Sequence, residues 1–237
     1  MHLELLSQLT AARAARRATV LITELETGAQ RLVERHAISG DALEPLLRAA
    51  LASGKSGIVE TPAGRVFLTV QVPPPRIVAI GAVHISQALA PLARIAGYDI
   101  TIIDPRTAFA TPERFPDTTL IAKWPDEALK DVTLDAFTAV AALTHDPKID
   151  EPALQAALKA DCFYVGALGS RRTHAKRMER LAALGLSPAE IGRIHAPIGL
   201  DIGAASPEEI AVSVLAQIIG ALRKGGSLAQ AKTEAAA

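Results

Sequence analysis

The sequence predicts an α/β protein in which a small N-terminal α+β domain precedes a Rossmann-like, doubly wound parallel sheet. Two observations predict the sheet. Beyond residue 75, short apolar runs begin about 20 to 25 residues apart, and helical stretches separate them. These runs are apolar on both faces, as strands covered by helices on both sides must be. Before residue 72 the pattern differs, because β-prone runs there flank turn residues.

Residues 1–72 are predicted to form the N-terminal α+β domain. An amphipathic helical pattern covers residues 1–17, where leucines lie among arginines. A second helix is expected from an N-cap at Asp41 to Ser53. The β-prone runs form two hairpins, which pair residues 18–25 with 30–35 around Gly28, and residues 57–60 with 65–71.

A run of prolines, Pro73 to Pro75, marks the domain boundary. Prolines can neither donate to a sheet nor enter a helix interior, so the run forms a stiff linker. Residues 76–225 are predicted to form the Rossmann-like domain, and residues 226–237 a disordered tail.

The strands and helices of this second domain alternate along the chain. Strands are expected at residues 76–80, 99–103, 119–122, 139–143 and 163–168, and helices between them at 85–96, 126–130 and 151–159. A last helix begins after Ser206, which forms a capping box with Glu209, and it stops at Gly225.

Composition and charge exclude several classes of function. Lysine and arginine together number 25, as do aspartate and glutamate, so the net charge of zero argues against binding to nucleic acid. The one cysteine, Cys162, excludes an internal disulfide and a multi-thiolate zinc site, and it fits a reducing compartment. The sequence shows neither a secretory leader nor an apolar segment that spans a bilayer. We therefore expect a cytoplasmic protein without a stable membrane anchor.

The first strand–helix turn of the sheet has the layout of a dinucleotide-binding fingerprint. Gly81 follows the first strand, and Asp104 stands 23 residues later, where an acid can bind a ribose. Val83 and Ser86, however, occupy the positions of the second and third glycines, and the branched Val83 side chain obstructs a pyrophosphate. Two alternatives stay open: the turn still binds a nucleotide, or the nucleotide site is vestigial or reshaped. Either alternative allows a phosphate to bind at the helix N-terminus.

Polar residues also follow the fourth and fifth strands, at the edge where doubly wound sheets bind ligands. Thr144, His145 and Asp146 follow the fourth strand, and the segment from Gly166 to His174 follows the fifth. Residues 169–172 combine small residues, a hydroxyl and two guanidiniums before a helix, which predicts an anion site. The alternative is a solvated helix face, which we expect in either case for the later cations Lys176, Arg177 and Arg180.

The segment from His195 to Ala204 is apolar, yet it contains a proline and two glycines. This pattern predicts a structured loop rather than a strand or helix, and such loops often line sites. Asp201 in this loop either binds a ligand or caps backbone amides. Counting His195, four of the six histidines are expected on the same rim, the others being His84, His145 and His174.

These motifs resemble the XdhC/CoxI family, which comprises accessory factors of xanthine dehydrogenase and relatives that mature carbon monoxide dehydrogenase. The resemblance rests on segments 81–90, 104–106, 144–148, 164–174 and 195–204, within a match from about Gly64 to Gly225. Two departures qualify it. Val83 replaces the second glycine of the family's Gly-Ala-Gly-His turn, and the Gly-Ser-x-Pro-Arg and Gly-Gly-Cys motifs of longer members are absent.

The resemblance implies a maturation factor rather than a metabolic enzyme. Family members bind the molybdenum cofactor, as molybdopterin or as its cytosine dinucleotide form. They assist its sulfuration with a cysteine desulfurase and deliver it to an apo-molybdenum hydroxylase of the xanthine or carbon monoxide dehydrogenase type. They pair a small N-terminal domain with a Rossmann domain, commonly as homodimers. Since the molybdenum arrives on dithiolene sulfurs, no metal ligands from the chain are implied.

The implied cofactor-binding residues share one location, the loops at the carboxyl ends of the strands. They are Gly81, Ala82, Val83, His84, Ser86, Asp104, Arg106, Thr144, His145, Asp146, Gly166, Gly169, Ser170, Arg171, Arg172, Thr173, Pro197, Gly199, Asp201 and Gly203. No catalytic residue is expected among them. Two alternative functions stay open: an NAD(P)-binding oxidoreductase, and a docking scaffold that holds no cofactor.

Overall fold

A computed structural model describes residues 3–224 of the chain. The chain divides into two compact units, residues 1–74 and residues 75–237. The tail that the sequence predicts over residues 226–237 lies outside the described residues. Within residues 3–224, no helix is both long and apolar enough to cross a membrane.

The first unit is a four-stranded antiparallel sheet with helices. The helices are α1 (Leu3–Ala14) and α2 (Glu44–Ser53), and the strands are β1 (Thr19–Glu24), β2 (Gln30–Glu34), β3 (Gly57–Thr61) and β4 (Gly64–Gln71). The strand order is β2-β1-β4-β3, and both predicted hairpins are present. Val20 and Ile22 of β1 share one core with Leu47 of α2 and Leu68 of β4.

Helix α1 is present, but its predicted amphipathic character is wrong. Ala12 is its one buried residue, and Leu3 is 86% exposed. The reason is that Arg13 lies four residues after Leu9, and residues at this spacing share a helix face. The leucines therefore do not form an apolar helix face without charged residues.

The second unit contains a six-stranded parallel sheet, which confirms the predicted fold class. Its strands are β5 (Arg76–Ile80), β6 (Asp99–Ile103), β7 (Thr119–Ile121), β8 (Thr138–Ala142), β9 (Tyr164–Ala167) and β10 (Ile194–His195). Its helices are α3 (His84–Ile95), α4 (Pro125–Asp131), α5 (Pro147–Lys159), α6 (Arg171–Ala183), α7 (Pro188–Ile191) and α8 (Pro207–Lys224). The strand order β7-β6-β5-β8-β9-β10 is that of a Rossmann sheet, with its switch point between β5 and β8.

Strand β5 shows why the apolar runs have no polar face. Ile77 and Ala79 belong to the core under α3 and α8, whereas Val78 and Ile80 belong to the core under α5 on the opposite side. Successive side chains of a strand point to opposite faces, so both faces of the sheet are buried. The core layers hold the sheet rigid and leave the loops at the carboxyl ends of the strands for ligand binding.

The sequence predicts a loop from His195 to Ala204, but the first residue of this segment belongs to a strand. His195 lies in β10, which pairs in parallel with Val165 and Gly166 of β9. A strand of two residues is too short to produce a periodic pattern, and its hydrogen bonds come from a neighbour that is distant in sequence. Periodicity alone therefore gives no signal for it.

Helix α5 begins earlier than predicted, at Pro147 instead of Glu151. The side chain of Asp146 caps it by accepting a hydrogen bond of 2.9 Å from the Lys148 N–H, and Pro147 occupies the first helical position. The polar segment after β8 is thus an N-cap as well as a loop. The short helix α7, which is not among the helices predicted from the sequence, has a capping box of its own, formed by Ser187 and Glu190.

Candidate functional site

The turn after β5 approaches the loop after β8 very closely. Gly81 has a φ of 113°, and a Cβ atom at this position would lie 2.6 Å from Cγ2 of Thr144. No side chain fits between the two loops, so a glycine is required at the switch point of the sheet. Ser86 is buried and donates to the Gly81 carbonyl, which fixes the turn from inside.

The other residues of this turn differ in exposure. Val83 is the N-cap residue of α3, makes no side-chain capping bond, and is half-buried. His84 is exposed, and Ala82 is buried. His84 and Val83 are therefore the side chains of the turn that a ligand at the α3 N-terminus would meet.

Asp104 is buried and holds this turn in place. Its carboxylate accepts hydrogen bonds from the N–H of Ala82 at 2.7 Å, the N–H of Arg106 at 2.9 Å, and the Arg106 guanidinium at 2.7 and 2.9 Å. Burial opposes ionisation of Asp104, but these hydrogen bonds outweigh it and lower the pKa of its carboxyl. The Asp104 side chain is 0% exposed and its carboxylate is bonded to Ala82 and Arg106, whereas the sequence predicts that it binds a ribose.

The loop after β8 is held by a buried carboxylate that is not among the residues predicted from the sequence. Asp150 of α5 is 0% exposed and accepts hydrogen bonds from the Thr144 N–H, the Thr144 hydroxyl and the His145 N–H, at 3.3, 2.8 and 3.0 Å. Burial raises the pKa of the Asp150 carboxyl. His145 and Asp146 are exposed at the end of the sheet. The signal that could have revealed Asp150 is its position four residues after Asp146, an N-cap that the sequence pattern places in a loop.

Two glycines, Gly166 near the end of β9 and Gly169 in the loop after it, allow close packing. A Cβ atom at Gly166 would lie 2.5 Å from the Tyr164 hydroxyl, and one at Gly169, where φ is 132°, would lie 3.2 Å from Thr173 Cγ2. Ser170 caps α6 by accepting a hydrogen bond of 3.2 Å from the Thr173 N–H. Arg171 and Arg172, which follow, are both exposed.

The prediction of a solvated face for the later cations of α6 is wrong for Arg177, whereas the Arg180 side chain pairs with Glu151 but stays 41% exposed. Arg177 is 2% exposed, and its Nη2 donates to the Leu168 carbonyl at 2.9 Å. Arg180 donates to Glu151 of α5 at 2.5 and 2.8 Å. Lys176 is exposed as expected. A charge pattern does not say which helix face packs on a neighbour, and this face of α6 packs against α5.

The four rim histidines have different environments. His84 and His145 are exposed, and the ring of His195 stacks on Tyr164 with centroids 4.8 Å apart. Burial and the nearby Arg177 lower the pKa of His174, whose Nδ1 is buried without a hydrogen-bond partner in the described part of the chain.

Gln217 of α8 ties the segment after β10 to the sheet. Its Oε1 accepts from the Tyr164 hydroxyl at 2.6 Å and from the Gly199 N–H at 2.9 Å, and its Nε2 donates to the Gly199 carbonyl at 3.0 Å. Gly199 has a φ of 94°, and a Cβ atom there would lie 2.3 Å from Ser213 Oγ. Gln217 is 3% exposed, so these bonds are shielded from water.

The loop after β9 and the segment after β10 enclose a cavity of about 460 Å³, a volume typical of small-molecule sites. Five predicted site residues line it: Arg171, Pro197, Gly199, Asp201 and Gly203. Other lining residues are not among those predicted, and they include Leu168, Ile198, Ile210, Ser213 and Gln217. The predicted residues of the β5, β6 and β8 loops are not part of this lining.

The cavity combines apolar walls with one cation and one anion. Ile198 and Ile210 supply apolar surface, while Arg171 and Asp201 are exposed and free to meet a ligand at its edge. Within residues 3–224 no three histidine, cysteine or acidic side chains group in a way that could hold a metal ion. The arrangement suits an organic ligand with an anionic group, because a guanidinium binds phosphate or carboxylate with directed hydrogen bonds.

Comparison with known proteins gives several similar chains. This chain is 36% identical over 159 residues to YqeB and 37% identical over 143 residues to the molybdenum cofactor insertion chaperone PaoD, both of Escherichia coli K12. It is 34% identical over 148 residues to a protein of Bacillus subtilis 168 described as a probable xanthine dehydrogenase subunit. These matches cover 65%, 60% and 62% of this chain but 28%, 39% and 43% of the relatives. The chain thus spans less than half the length of each.

A crystal structure described as a xanthine dehydrogenase from Bacillus halodurans has a similar fold, with a TM-score of 0.60 and 24% sequence identity. The alignment covers 93% of this chain and 64% of that one. The family model of the XdhC Rossmann domain matches residues 77–218, which is more than half of the chain. The matched range includes nearly all of the parallel sheet and both segments around the cavity. The chain therefore belongs to the XdhC family.

Proposed function

We propose that this protein binds the molybdenum cofactor and acts as an insertion chaperone for a molybdenum hydroxylase. One observation carries the proposal: residues 168–171 and 197–204, which are distant in sequence and both resemble family motifs, contribute to the lining of a single cavity. The similarity to PaoD, a molybdenum cofactor insertion chaperone, supports the same ligand. The similarity to a probable xanthine dehydrogenase subunit supports a hydroxylase as the partner.

The cavity suits the chemistry of a pyranopterin, which has a flat hydrogen-bonding ring system and a phosphate. Arg171 stands in the first turn of α6, next to Ser170, so a guanidinium and a helix N-terminus lie together. Both favour a phosphate group. Ile198 and Ile210 provide apolar surface for the faces of the ring. The molybdenum stays on its dithiolene sulfurs, so the cavity needs no metal ligands from the chain.

The finer parts of the proposal concern sulfuration, assembly and location. We propose that a cysteine desulfurase supplies the terminal sulfur, that the chain acts as a homodimer in the cytoplasm, and that the cofactor is molybdopterin or its cytosine dinucleotide form. Cys162 does not serve as the sulfur carrier, because burial raises the pKa of its thiol to about 12. A thiol that is 0% exposed cannot receive a persulfide from a partner enzyme.

Two features argue against the NAD(P)-binding oxidoreductase. Asp104, the expected ribose ligand, is buried and bonded to Arg106, and Val83 stands where the turn would need its second glycine. The cavity with Arg171 at its edge argues against a docking scaffold that binds no cofactor, because docking alone does not require such a cavity. Both alternatives remain distinguishable by experiment, since neither retains a pterin.

The proposal is tested by co-purification. The protein is purified from cells that make molybdopterin, oxidised, and assayed for the fluorescent pterin product, with a strain blocked in molybdopterin synthesis as the control. We expect pterin in the first sample and none in the second. Absence of pterin from both samples, together with failure of the protein to restore activity to an apo-hydroxylase, would refute the proposal.

A further inference from the structure

Two buried charged side chains lie on the neighbouring helices α5 and α6. Arg177 of α6 and Asp150 of α5 are 2% and 0% exposed, and neither side chain lines the cavity itself. Buried charges are costly unless their partners are well placed. We therefore ask what these two buried charged side chains contribute to the structure.

Arg177 reaches the cavity wall through one hydrogen bond. Its Nη2 donates to the carbonyl of Leu168, a residue that lines the cavity, and the Leu168 N–H in turn donates to the Ala142 carbonyl at 2.8 Å. Leu168 is thus held on one side by the end of β8 and on the other by the guanidinium. Without Arg177, the Leu168 carbonyl loses its hydrogen bond next to a glycine with a positive φ.

The loop after β8 lies next to this wall. A Cβ atom at Gly169, the residue after Leu168, would lie 3.7 Å from Nδ1 of His145, so the loops after β8 and β9 are neighbours. Arg180, the next cation of α6, instead binds Glu151 of α5 at 2.5 and 2.8 Å.

Arg177 is not optimised for stability alone. Its Nη1 is buried without a hydrogen-bond partner among the residues that the structure describes, as is Nδ1 of His174 on the same helix. An unsatisfied buried donor costs free energy, and such departures from ideal packing concentrate at functional sites.

We propose that Arg177 is a positioning residue, which holds the cavity wall at Leu168 against the end of β8. Its consequence for ligand binding rests on the proposed function, whereas its effect on Leu168 does not. A ligand that contacts Leu168 or Arg171 therefore meets a wall that is held in place before binding.

Amide hydrogen exchange on the full chain tests this inference. We compare Arg177→Met with Arg180→Met, a matched control that removes the same charge one turn away on α6. We expect exchange at Leu168 to become about tenfold faster in Arg177→Met and to stay unchanged in Arg180→Met. In Arg177→Lys, which keeps the charge but not the planar fork, we also expect faster exchange at Leu168. If Arg177→Met does not fold, Arg177→Lys against Arg180→Lys decides the same question at Leu168.

A second readout measures affinity for molybdopterin extracted from a molybdoenzyme. We expect Arg177→Met to bind it about tenfold more weakly and Arg180→Met to bind it like the wild type. Equal exchange rates at Leu168 in the two methionine variants would overturn the inference. If the wild type binds no molybdopterin, the proposed function fails, and the exchange rates still decide the role of Arg177.

Discussion

Gln217 shows how a single buried side chain can fix a loop far from it in sequence. Its amide bonds both the N–H and the carbonyl of Gly199, and it also accepts from the Tyr164 hydroxyl. These bonds join α8, β9 and the loop that forms one wall of the cavity. The apolar pattern of α8 gives no hint of this role, because a glutamine on an apolar face has no periodic signature.

Replacement of Gln217 by alanine should therefore destabilise the protein by about 2–4 kcal/mol, since it leaves the buried Tyr164 hydroxyl and the backbone groups of the half-buried Gly199 without partners. The matched control is Gln155→Ala, which removes a single long bond of 3.4 Å on α5 and should change the free energy of unfolding by less than about 0.5 kcal/mol. Urea denaturation measures both. Similar losses in the two variants would show that Gln217 does not clamp the loop.

Cys162 gives a second prediction at this scale. Burial raises the pKa of its thiol to about 12, so at pH 8 only about one thiol in ten thousand is ionised. We expect the native protein to resist a thiol reagent such as DTNB, and the protein unfolded in guanidinium to react with one equivalent. Rapid stoichiometric labelling of the native protein would contradict the buried environment and reopen a role for Cys162 in sulfur transfer.

The sequence predicts the end of a helix best where that end carries a capping motif. Ser206 and Glu209 form the predicted capping box of α8, with bonds of 3.2 and 3.0 Å. The start of α5 is misplaced because its cap, Asp146, also suits a loop. Strand β10 is missed because its two residues are extended through pairing with β9, which no local sequence preference reveals.

The approach of the β5 turn to the β8 loop yields a prediction for Gly81→Ala. The new Cβ would clash with Thr144 Cγ2, so the loss of stability should exceed that of Gly97→Ala by about 1–3 kcal/mol. Gly97 also has a positive φ, of 80°, but its Cβ would meet nothing within 4 Å, so it shares only the backbone strain. Thermal or urea unfolding gives the comparison.

The second substitution Thr144→Ser removes the clashing methyl and keeps the hydroxyl that Asp150 binds. The double variant Gly81→Ala/Thr144→Ser should therefore recover most of the excess loss. If it is no more stable than Gly81→Ala, contact between the two loops does not explain the requirement for glycine.

For the whole molecule, the sequence predicts the fold class because two-face-buried strands at a regular pitch admit few topologies. It predicts Arg171, Gly199 and Asp201 as site residues because glycines and charges stand out in loops. It does not predict Asp150 or Arg177, since charged side chains on helices usually face solvent, and only the packing of α5 on α6 buries these.

If the cavity beside Arg171 binds the molybdenum cofactor, equilibrium binding of molybdopterin should distinguish two neighbouring arginine variants. Arg171 lines the cavity, whereas its exposed neighbour Arg172 does not, so the pair is closely matched. We predict that the wild type and Arg172→Ala bind molybdopterin with the same affinity, and that Arg171→Ala binds it about 10- to 100-fold more weakly. A wild type that binds no molybdopterin, or an equal loss of affinity in both variants, would show that this cavity is not the cofactor site.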